Sequence, residues 1–206
     1  MLKKMKKLRF LVCALLISGG LCVQSAQAQE DGVGLRLGEP LSVTYKKFLD
    51  EFFALELMIG SAGPNSQGYY QRAFERRPTV PNAFYAGHSH TGGFSINLRG
   101  MIHEDFTGDL GISEGVLLGY VGAGAQLRSI GVNYLYTDPS INPNIPLRDR
   151  RTNIDFGGEI FGGGEYYFDE LPISVFAELG LFVQVLDRFG HLRLQGAIGV
   201  RYLLGR

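Results

Sequence analysis

Apolar and polar residues alternate with a period of two along most of the chain after residue 30, as in a β-strand with one apolar and one polar face. The alternation is clearest at residues 191–204, where one face carries Leu192, Leu194, Ile198, Val200 and Tyr202 and the other carries His191, Arg193, Gln195 and Arg201. Similar segments cover residues 173–185, 154–168, 116–128 and 94–103, and shorter ones cover 33–37, 41–46 and 53–60. The sequence therefore predicts an all-β protein, an antiparallel transmembrane β-barrel of about eight strands with up-and-down topology.

The connections between these segments alternate in length. Short turns are predicted at Asp50-Glu51 and at residues 169–172, with a moderate one at 106–113. Longer polar segments occupy residues 62–92 and 129–152. Bacterial outer-membrane barrels combine short periplasmic turns with longer outer loops, so we expect 62–92 and 129–152 to be outer loops. Residues 45–58 also fit an amphipathic helix, and the neighbouring strands favour the strand interpretation.

The first 28 residues have the three parts of a secretory signal peptide. A basic segment with five of the 20 Lys and Arg residues precedes an apolar run at residues 10–17, and Ala26-Gln27-Ala28 offers a cleavage site before Gln29. We therefore expect a signal peptide at 1–28 and one barrel domain at 29–206. The apolar run is shorter than the roughly 20 residues that a membrane-spanning helix requires.

Removal of this segment changes the charge and the cysteine content of the chain. The remainder holds 15 Lys and Arg against 20 Asp and Glu, a formal net charge of −5. An acidic chain is not expected to bind nucleic acid, which requires a basic face. Both cysteines, Cys13 and Cys22, lie in the signal segment, so no disulfide and no cysteine-based metal site is expected in the mature protein.

Glycine and alternation patterns in several segments resemble a known family. They lie at residues 32–40, 42–49, 54–57, 157–172 and 199–202. The chain is similar there to small outer-membrane β-barrel proteins of Bacteroidetes-type bacteria, with an outer membrane protein beta-barrel domain. The resemblance implies a barrel of about eight strands, usually without an assigned activity. The chain departs from the pattern in its long 62–92 segment and in ending Leu-Leu-Gly-Arg instead of on an aromatic residue.

The polar faces of the predicted strands carry charged residues of both signs in near balance. The interior of an eight-stranded barrel is just wide enough for side chains to fill, and charges buried there must pair. We therefore predict a structural ionic network in the lumen, without cofactor or metal, formed by Arg36, Lys46, Glu56, Arg99, Glu159, Glu165, Glu178, Arg193 and Arg201. Arg128 and Asp155 lie near predicted strand ends, where solvent is expected to reach them.

Three motifs could carry chemistry, and none has the context that the chemistry requires. Gly111-Ile-Ser-Glu-Gly115 has the form of a nucleophile elbow, but Ser113 is followed by a predicted strand where the elbow needs a helix. His88 and His90 lack further ligands for a metal, and we interpret them as polar residues in an exposed loop. The glycine-rich segments 119–124 and 162–164 lack the Lys-Ser/Thr of a phosphate-binding loop.

The sequence favours a non-enzymatic outer-membrane barrel with a filled lumen and a structural or surface-binding role through its outer loops. Three alternatives remain: a narrow pore for small solutes, a soluble periplasmic barrel of lipocalin type, and a lipid-modifying barrel enzyme using Ser89, His88 and Glu75. The expected partners are outer-membrane lipids, including lipopolysaccharide, and the barrel-insertion machinery. A surface ligand would bind the outer loops, and its identity does not follow from the sequence.

Overall fold

The computed structural model describes residues 30–186 and 189–205, without the side chains of 142–144. The predicted signal peptide and its cleavage site lie outside these ranges. The described chain forms one helix, α1 (Gln67–Arg76), and eight strands: β1 (Gly32–Gly38), β2 (Ser42–Phe48), β3 (Phe53–Gly60), β4 (Phe84–Asp105), β5 (Val116–Asp138), β6 (Asn142–Tyr167), β7 (Ile173–Gln184) and β8 (Leu192–Leu203). No helix in these ranges is both long and apolar enough to cross a membrane.

The eight strands form a closed antiparallel barrel in which each strand pairs with its neighbours in sequence. The last strand closes the ring by pairing with the first, from Gly32 opposite Leu203 to Gly38 opposite Ala197. The predicted fold class is therefore confirmed. The strand interpretation of residues 45–58 is also confirmed, because β2 ends at Phe48 and β3 begins at Phe53.

The outer surface of the barrel carries an apolar belt. Its side chains occupy the outward-facing positions of the alternating strands and are exposed; Leu179, for example, keeps 66% of its surface accessible. The belt includes Val33, Leu35, Val43, Leu55, Leu57, Ile96, Leu98, Val121, Ile154, Ile160, Leu179, Leu194, Ile198 and Val200. The residues between them face the lumen, where most are polar, charged or aromatic.

Two lumen glycines make room for aromatic side chains of the neighbouring strands. A Cβ atom on Gly122 would lie 2.5 Å from the ring of Phe161, and one on Gly163 would lie 2.9 Å from the ring of Tyr120. Both rings are buried in the lumen. The glycine-rich segments of β5 and β6 therefore allow close packing of the lumen and are not phosphate-binding loops.

Three strands are much longer than the others. β4, β5 and β6 have 22, 23 and 26 residues, whereas β1 and β2 have seven each. Their additional residues form a three-stranded sheet beyond one end of the barrel, and α1 packs against that sheet. We call α1 together with residues 84–93, 129–138 and 142–153 the cap.

The cap corrects the prediction of two outer loops. Residues 129–152 are mostly strand, because β5 pairs with β6 up to Asp138 opposite Asn142, with a register shift after Tyr136, and the chain turns at residues 139–141. Segment 62–92 contains α1 and the first part of β4. His88 and Ser89 therefore lie in a strand and not in a loop.

A change in the phase of alternation explains this error. Within the barrel the apolar residues of β5, such as Val121 and Leu127, point outward and are exposed. In the cap the apolar residues of the same strand are the inward set, from Ile130 to Tyr136, and they are buried. Pairing with β6 continues across this point without a register shift, so β5 remains a regular strand. Its inward face changes from polar in the barrel to apolar in the cap.

Candidate functional site

A continuous chain of opposite charges crosses the lumen. It contains Arg36, Lys46, Arg99, Arg201, Glu56, Glu159, Glu165 and Glu178, each no more than 5% exposed. The structure thus brings together eight of the nine residues assigned to the lumen network from sequence. Four positive and four negative side chains leave this network without a formal net charge.

Arg99 is one centre of the chain. Its Nε atom donates to Glu159 at 2.9 Å, and its Nη1 atom donates to Glu178 at 2.8 Å. Nη1 also contacts Glu56 at 3.2 Å, and the guanidinium lies 4.0 Å from the ring centroid of Phe161. The stacked, fully bonded guanidinium is a geometry that compensates for the loss of water around a buried charge.

Arg201 is the second centre. It contacts Glu56 at 2.5 Å and Glu165 at 2.7 Å, and it stacks on Phe176 at 3.8 Å. Glu165 also accepts from Lys46 at 2.7 Å. Arg201 therefore joins the Lys46 end of the chain to the Arg99 centre through shared carboxylates.

Glu178 connects the ionic chain to β1 and β5. It accepts from Arg36 Nε at 2.8 Å, from Arg99, and from the hydroxyl of Tyr120 at 3.2 Å. Arg36 lies on β1 and Tyr120 on β5. With Tyr120 included, every strand of the barrel contributes a side chain to this one network.

Amide side chains form the next layer toward the cap. Gln195 donates to Gln126 at 3.0 Å, and Asn97 donates to Glu159 at 3.1 Å. All three amides are buried. Gln126 lies on β5 between the position opposite Glu159 and Arg128, which is opposite Asp155, so this layer separates the ionic chain from a second polar cluster at the mouth of the barrel.

The mouth cluster is centred on Asp155 of β6. One of its carboxylate oxygens accepts from the hydroxyl of Tyr69 at 2.9 Å, and the other accepts from the amide of Asn65 at 2.9 Å. Gln184 donates to both Tyr69 and Asp155, at 3.0 and 3.1 Å. Arg128 lies 3.5 Å from Asp155 and donates to the carbonyl of Gly63.

The mouth cluster corrects the expectation that solvent reaches Arg128 and Asp155, which are 1% and 0% exposed. The reason is tertiary, since the segment leading into α1 and the first turn of α1 fold over the barrel mouth and supply Asn65 and Tyr69. Arg193, the ninth assigned residue, lies apart from the ionic chain. It is partly exposed and pairs with Glu39 at 2.8 Å at the rim.

The cap has an apolar core of its own. Tyr69, Tyr70 and Phe74 of α1 pack against the inward residues of β5, which are Ile130, Val132, Tyr134 and Tyr136. Burial raises the pKa of the Tyr70 hydroxyl, which accepts from the backbone N–H of Asn65 at 3.1 Å. The same tyrosines that cover the barrel mouth thus also form the interface between helix and sheet.

Arg151 fastens the end of α1 to the sheet. It donates to Asp149 at 2.6 Å, to the carbonyl of Arg77 at 2.6 Å and to Thr79 at 2.8 Å. Its guanidinium lies 5.3 Å from the ring centroid of Phe74. The sequence did not indicate this role, because Arg151 lies in a segment that reads as a polar loop.

The residues considered for catalysis are not assembled into a reactive set. Ser113 is exposed in the turn between β4 and β5, and no helix follows it before β5 begins at Val116. His88 and Ser89 are consecutive residues of β4 and point to opposite faces of the sheet. Glu75 bonds with Gln71 of its own helix at 2.9 Å.

The two cap histidines lie beside aromatic rings. His88 and His90 have ring centroids 4.9 Å apart, and each lies within 5.0 Å of Tyr70. The Nδ1 atom of His88 is hydrogen-bonded to the hydroxyl of Tyr85 at 2.5 Å. Across the part of the chain that the structure describes, no group of three or more His, Cys, Asp or Glu residues is arranged to hold a metal ion.

Comparison with known proteins identifies the architecture and no family. No protein-family model matches the chain, and no curated protein matches its sequence. The resemblance to the Bacteroidetes-type family therefore stays a prediction. Among solved structures, the chain is similar to the N-terminal β-barrel domain of Pseudomonas aeruginosa OprF, with a TM-score of 0.51 and 16% identity over 85% of this chain and 96% of that chain. At this identity the likeness shows the fold alone.

Proposed function

We propose that the chain is a non-enzymatic integral barrel of the bacterial outer membrane, with a lumen closed by side chains, that anchors the cap outside the membrane. The observation that carries this proposal is the inverted distribution of residues in the barrel. Charged side chains are buried inside and Leu, Ile and Val are exposed outside. A lipid-facing barrel requires an apolar outer band, whereas a soluble barrel of lipocalin type would expose polar residues there.

The closed lumen follows from how the interior is filled. The charged chain, the amide layer and the mouth cluster succeed one another along the barrel, and α1 covers the mouth. Each buried charge of the ionic chain has a partner of opposite charge within 3.2 Å. A transport path would have to break these pairs, and leaving a charge buried and unpaired costs several kcal/mol.

The cap is the part of the molecule available for contacts outside the membrane. It lies beyond the apolar belt at the end opposite to the short turns, which is the outer end in barrels of this class. Lipopolysaccharide and other outer-membrane lipids would surround the belt, and the insertion machinery would act on the exported chain after cleavage behind Ala28. N-terminal sequencing of the mature protein tests this processing site.

Conductance in planar bilayers tests the closed lumen. The purified full-length mature protein should give no steady channels under conditions in which a general porin, added as the positive control, conducts. Stable and selective channels would replace this proposal by the narrow-pore alternative.

Cell fractionation tests the location. The protein should be recovered in the outer-membrane fraction and should migrate differently on SDS gels before and after boiling, because closed barrels resist SDS until heated. Recovery from the periplasm without detergent would support the soluble-barrel alternative instead.

A further inference from the structure

The two edges of the cap sheet differ. The β4 edge is irregular, with register shifts between Tyr85 and Gly87 and between His90 and Gly93. The β6 edge is regular, because its pairing with β5 runs without a shift from Leu147 to Phe156. Pairing of β6 with β7 begins only at Gly157, so residues 147–155 have a partner strand on one side only. Bulges are a common protection of sheet edges, and none interrupts β6 between Leu147 and Phe156.

The backbone groups that face this edge can be identified from one pair of hydrogen bonds. The carbonyl of Phe156 accepts from the N–H groups of Val185 and Leu186, at 2.9 and 3.1 Å, so it points toward β7. Alternate residues of a strand direct their N–H and C=O groups to the same side. Arg148, Arg150, Thr152 and Ile154 therefore present theirs to the free edge, and within the described ranges no backbone group bonds to them there.

The side chains at this edge are basic. Arg148 and Arg150 are exposed, lie on the same face of β6 and have no ion pair among the described residues. The neighbouring carboxylate, Asp149, lies on the opposite face and is already bonded to Arg151 and Thr79. An added strand would place its side chains about 4.5–5.5 Å from those of β6, where opposite charges stabilise the pairing and like charges oppose it.

We propose that residues 147–155 of β6 accept an added β-strand from a partner protein, and that this strand carries Asp or Glu at the positions facing Arg148 and Arg150. Main-chain hydrogen bonds would supply affinity and the two arginines would supply specificity. A second copy of this chain fits less well, because none of the edge-facing residues of 147–155 is acidic, so symmetric pairing of two copies offers neither arginine a carboxylate. The inference deepens the proposed anchoring function, since it assigns a partner class to the displayed cap.

Peptide binding to the purified protein in detergent or lipid nanodiscs tests the charge preference. The probes are two labelled ten-residue peptides in which Thr and Val alternate either with Glu or with Lys. Fluorescence anisotropy should show the Glu peptide binding at least tenfold more tightly, and the double variant Arg148→Glu/Arg150→Glu should reverse this preference. The matched control is Arg72→Glu/Arg76→Glu on α1, which changes the charge equally and should leave the preference unchanged. Equal binding of both peptides, or loss of preference in the α1 control, would overturn the assignment of the site.

A backbone variant tests strand addition itself. In Thr152→Pro the lost N–H faces the free edge and not β5, so the barrel should keep its heat-dependent gel mobility while binding of the Glu peptide falls at least tenfold. Hydrogen exchange on the unmutated protein gives the same answer without a variant, since the bound peptide should protect the amides of 148, 150, 152 and 154. Binding without such protection excludes strand addition.

Sedimentation tests the other occupant of the edge. A dimer that Thr152→Pro abolishes would assign the edge to a second copy of this chain instead. These readouts do not depend on conductance, so each proposal can fail without the other.

Discussion

The barrel and the cap share three strands, β4, β5 and β6, yet they distribute their residues in opposite ways. In the barrel, charged side chains are buried and apolar ones are exposed; in the cap, Tyr and Phe are buried against Ile and Val. Both arrangements follow from the surroundings that the outer face meets. A membrane accepts the apolar belt, while water requires the apolar residues of the cap to lie beneath α1. The point at which β5 changes from one arrangement to the other therefore indicates where the proposed membrane ends.

The two regions also differ in how they tolerate change. The lumen depends on paired charges, in which each carboxylate serves several donors, so the loss of one affects all of them. The cap core depends on packed rings, and among the described side chains the mouth cluster joins this core to the lumen, so we expect the loss of one ring to act locally. The predictions below are arranged to separate these two kinds of dependence.

Glu178→Ala should have the largest effect. It leaves the buried guanidiniums of Arg36 and Arg99 without a shared acceptor, and breaking a buried pair in this way typically costs about 3–5 kcal/mol. Urea unfolding in lipid vesicles, followed by circular dichroism because the chain has no Trp, measures the free energy. Glu170→Ala, in the exposed turn before β7, is the matched control and should change it by less than about 0.5 kcal/mol. Equal effects of the two variants would contradict a buried ionic network.

Phe74→Ala should destabilise the cap and leave the barrel intact. The ring is 1% exposed, and removing a buried Phe typically costs about 3–5 kcal/mol. Hydrogen exchange should accelerate in α1 and in residues 129–138, while the barrel strands keep their protection and the gel mobility shift remains. Gln71→Ala on the exposed face of α1 should change neither. Loss of the mobility shift in Phe74→Ala would mean that the barrel and the cap do not fold independently.

Leu179→Lys tests the outward face of the barrel. This side chain is exposed within the apolar belt, and a lysine at the midplane of a bilayer costs about 2–4 kcal/mol. Thr152→Lys, on the exposed outer face of the cap, should cost less than about 0.5 kcal/mol, since the new charge stays in water. Vesicle unfolding measures both variants. Equal costs would place both positions in the same solvent and remove the proposed boundary between barrel and cap.

Tyr69→Phe tests the connection between the two regions and should have the smallest effect. It removes the hydroxyl that donates to Asp155, and a hydrogen bond to a charged group contributes about 1.5–3 kcal/mol. Hydrogen exchange should accelerate in α1 more than in the barrel. Tyr136→Phe, which leaves a buried cap ring in place away from the mouth, is the comparison. An identical response of the two variants would argue against a specific role for the mouth cluster.

Part of the lumen could be read from the sequence because alternation assigns side chains to faces without any knowledge of partners. Arg36, Lys46 and Glu178 were assigned inward in this way and lie inside. The partners themselves did not follow, since Glu178 bonds Arg36 across 142 positions of sequence and Arg99 across 79. Such pairs depend on how far neighbouring strands are staggered when the ring closes. A period-two pattern does not contain that stagger.

The sequence does not predict the cap, for a different reason. Ile130, Val132 and Tyr134 alternate as regularly as the barrel segments, but in the opposite phase to Val121 and Leu127. When a strand is predicted from apolar residues that stay on one face, such a change of face marks the end of the strand, and the residues beyond it are predicted as a loop. The change of phase was itself the available signal, because a regular strand that reverses the polarity of its faces must pass from one solvent to another or gain a new neighbour.

The sequence by itself determined the elements of the barrel and their faces: eight alternating strands, short turns at one end, and a polar set opposite an apolar set. These features are local, because side-chain direction in a strand depends only on position along it. The tertiary structure decided what those faces meet. Closure of the ring brought the charges of distant strands together, and the fold of α1 over the mouth buried Arg128 and Asp155. That same fold gave the inward residues of β5 an apolar partner. Each of these outcomes requires contact between segments far apart in the chain, which no local pattern specifies.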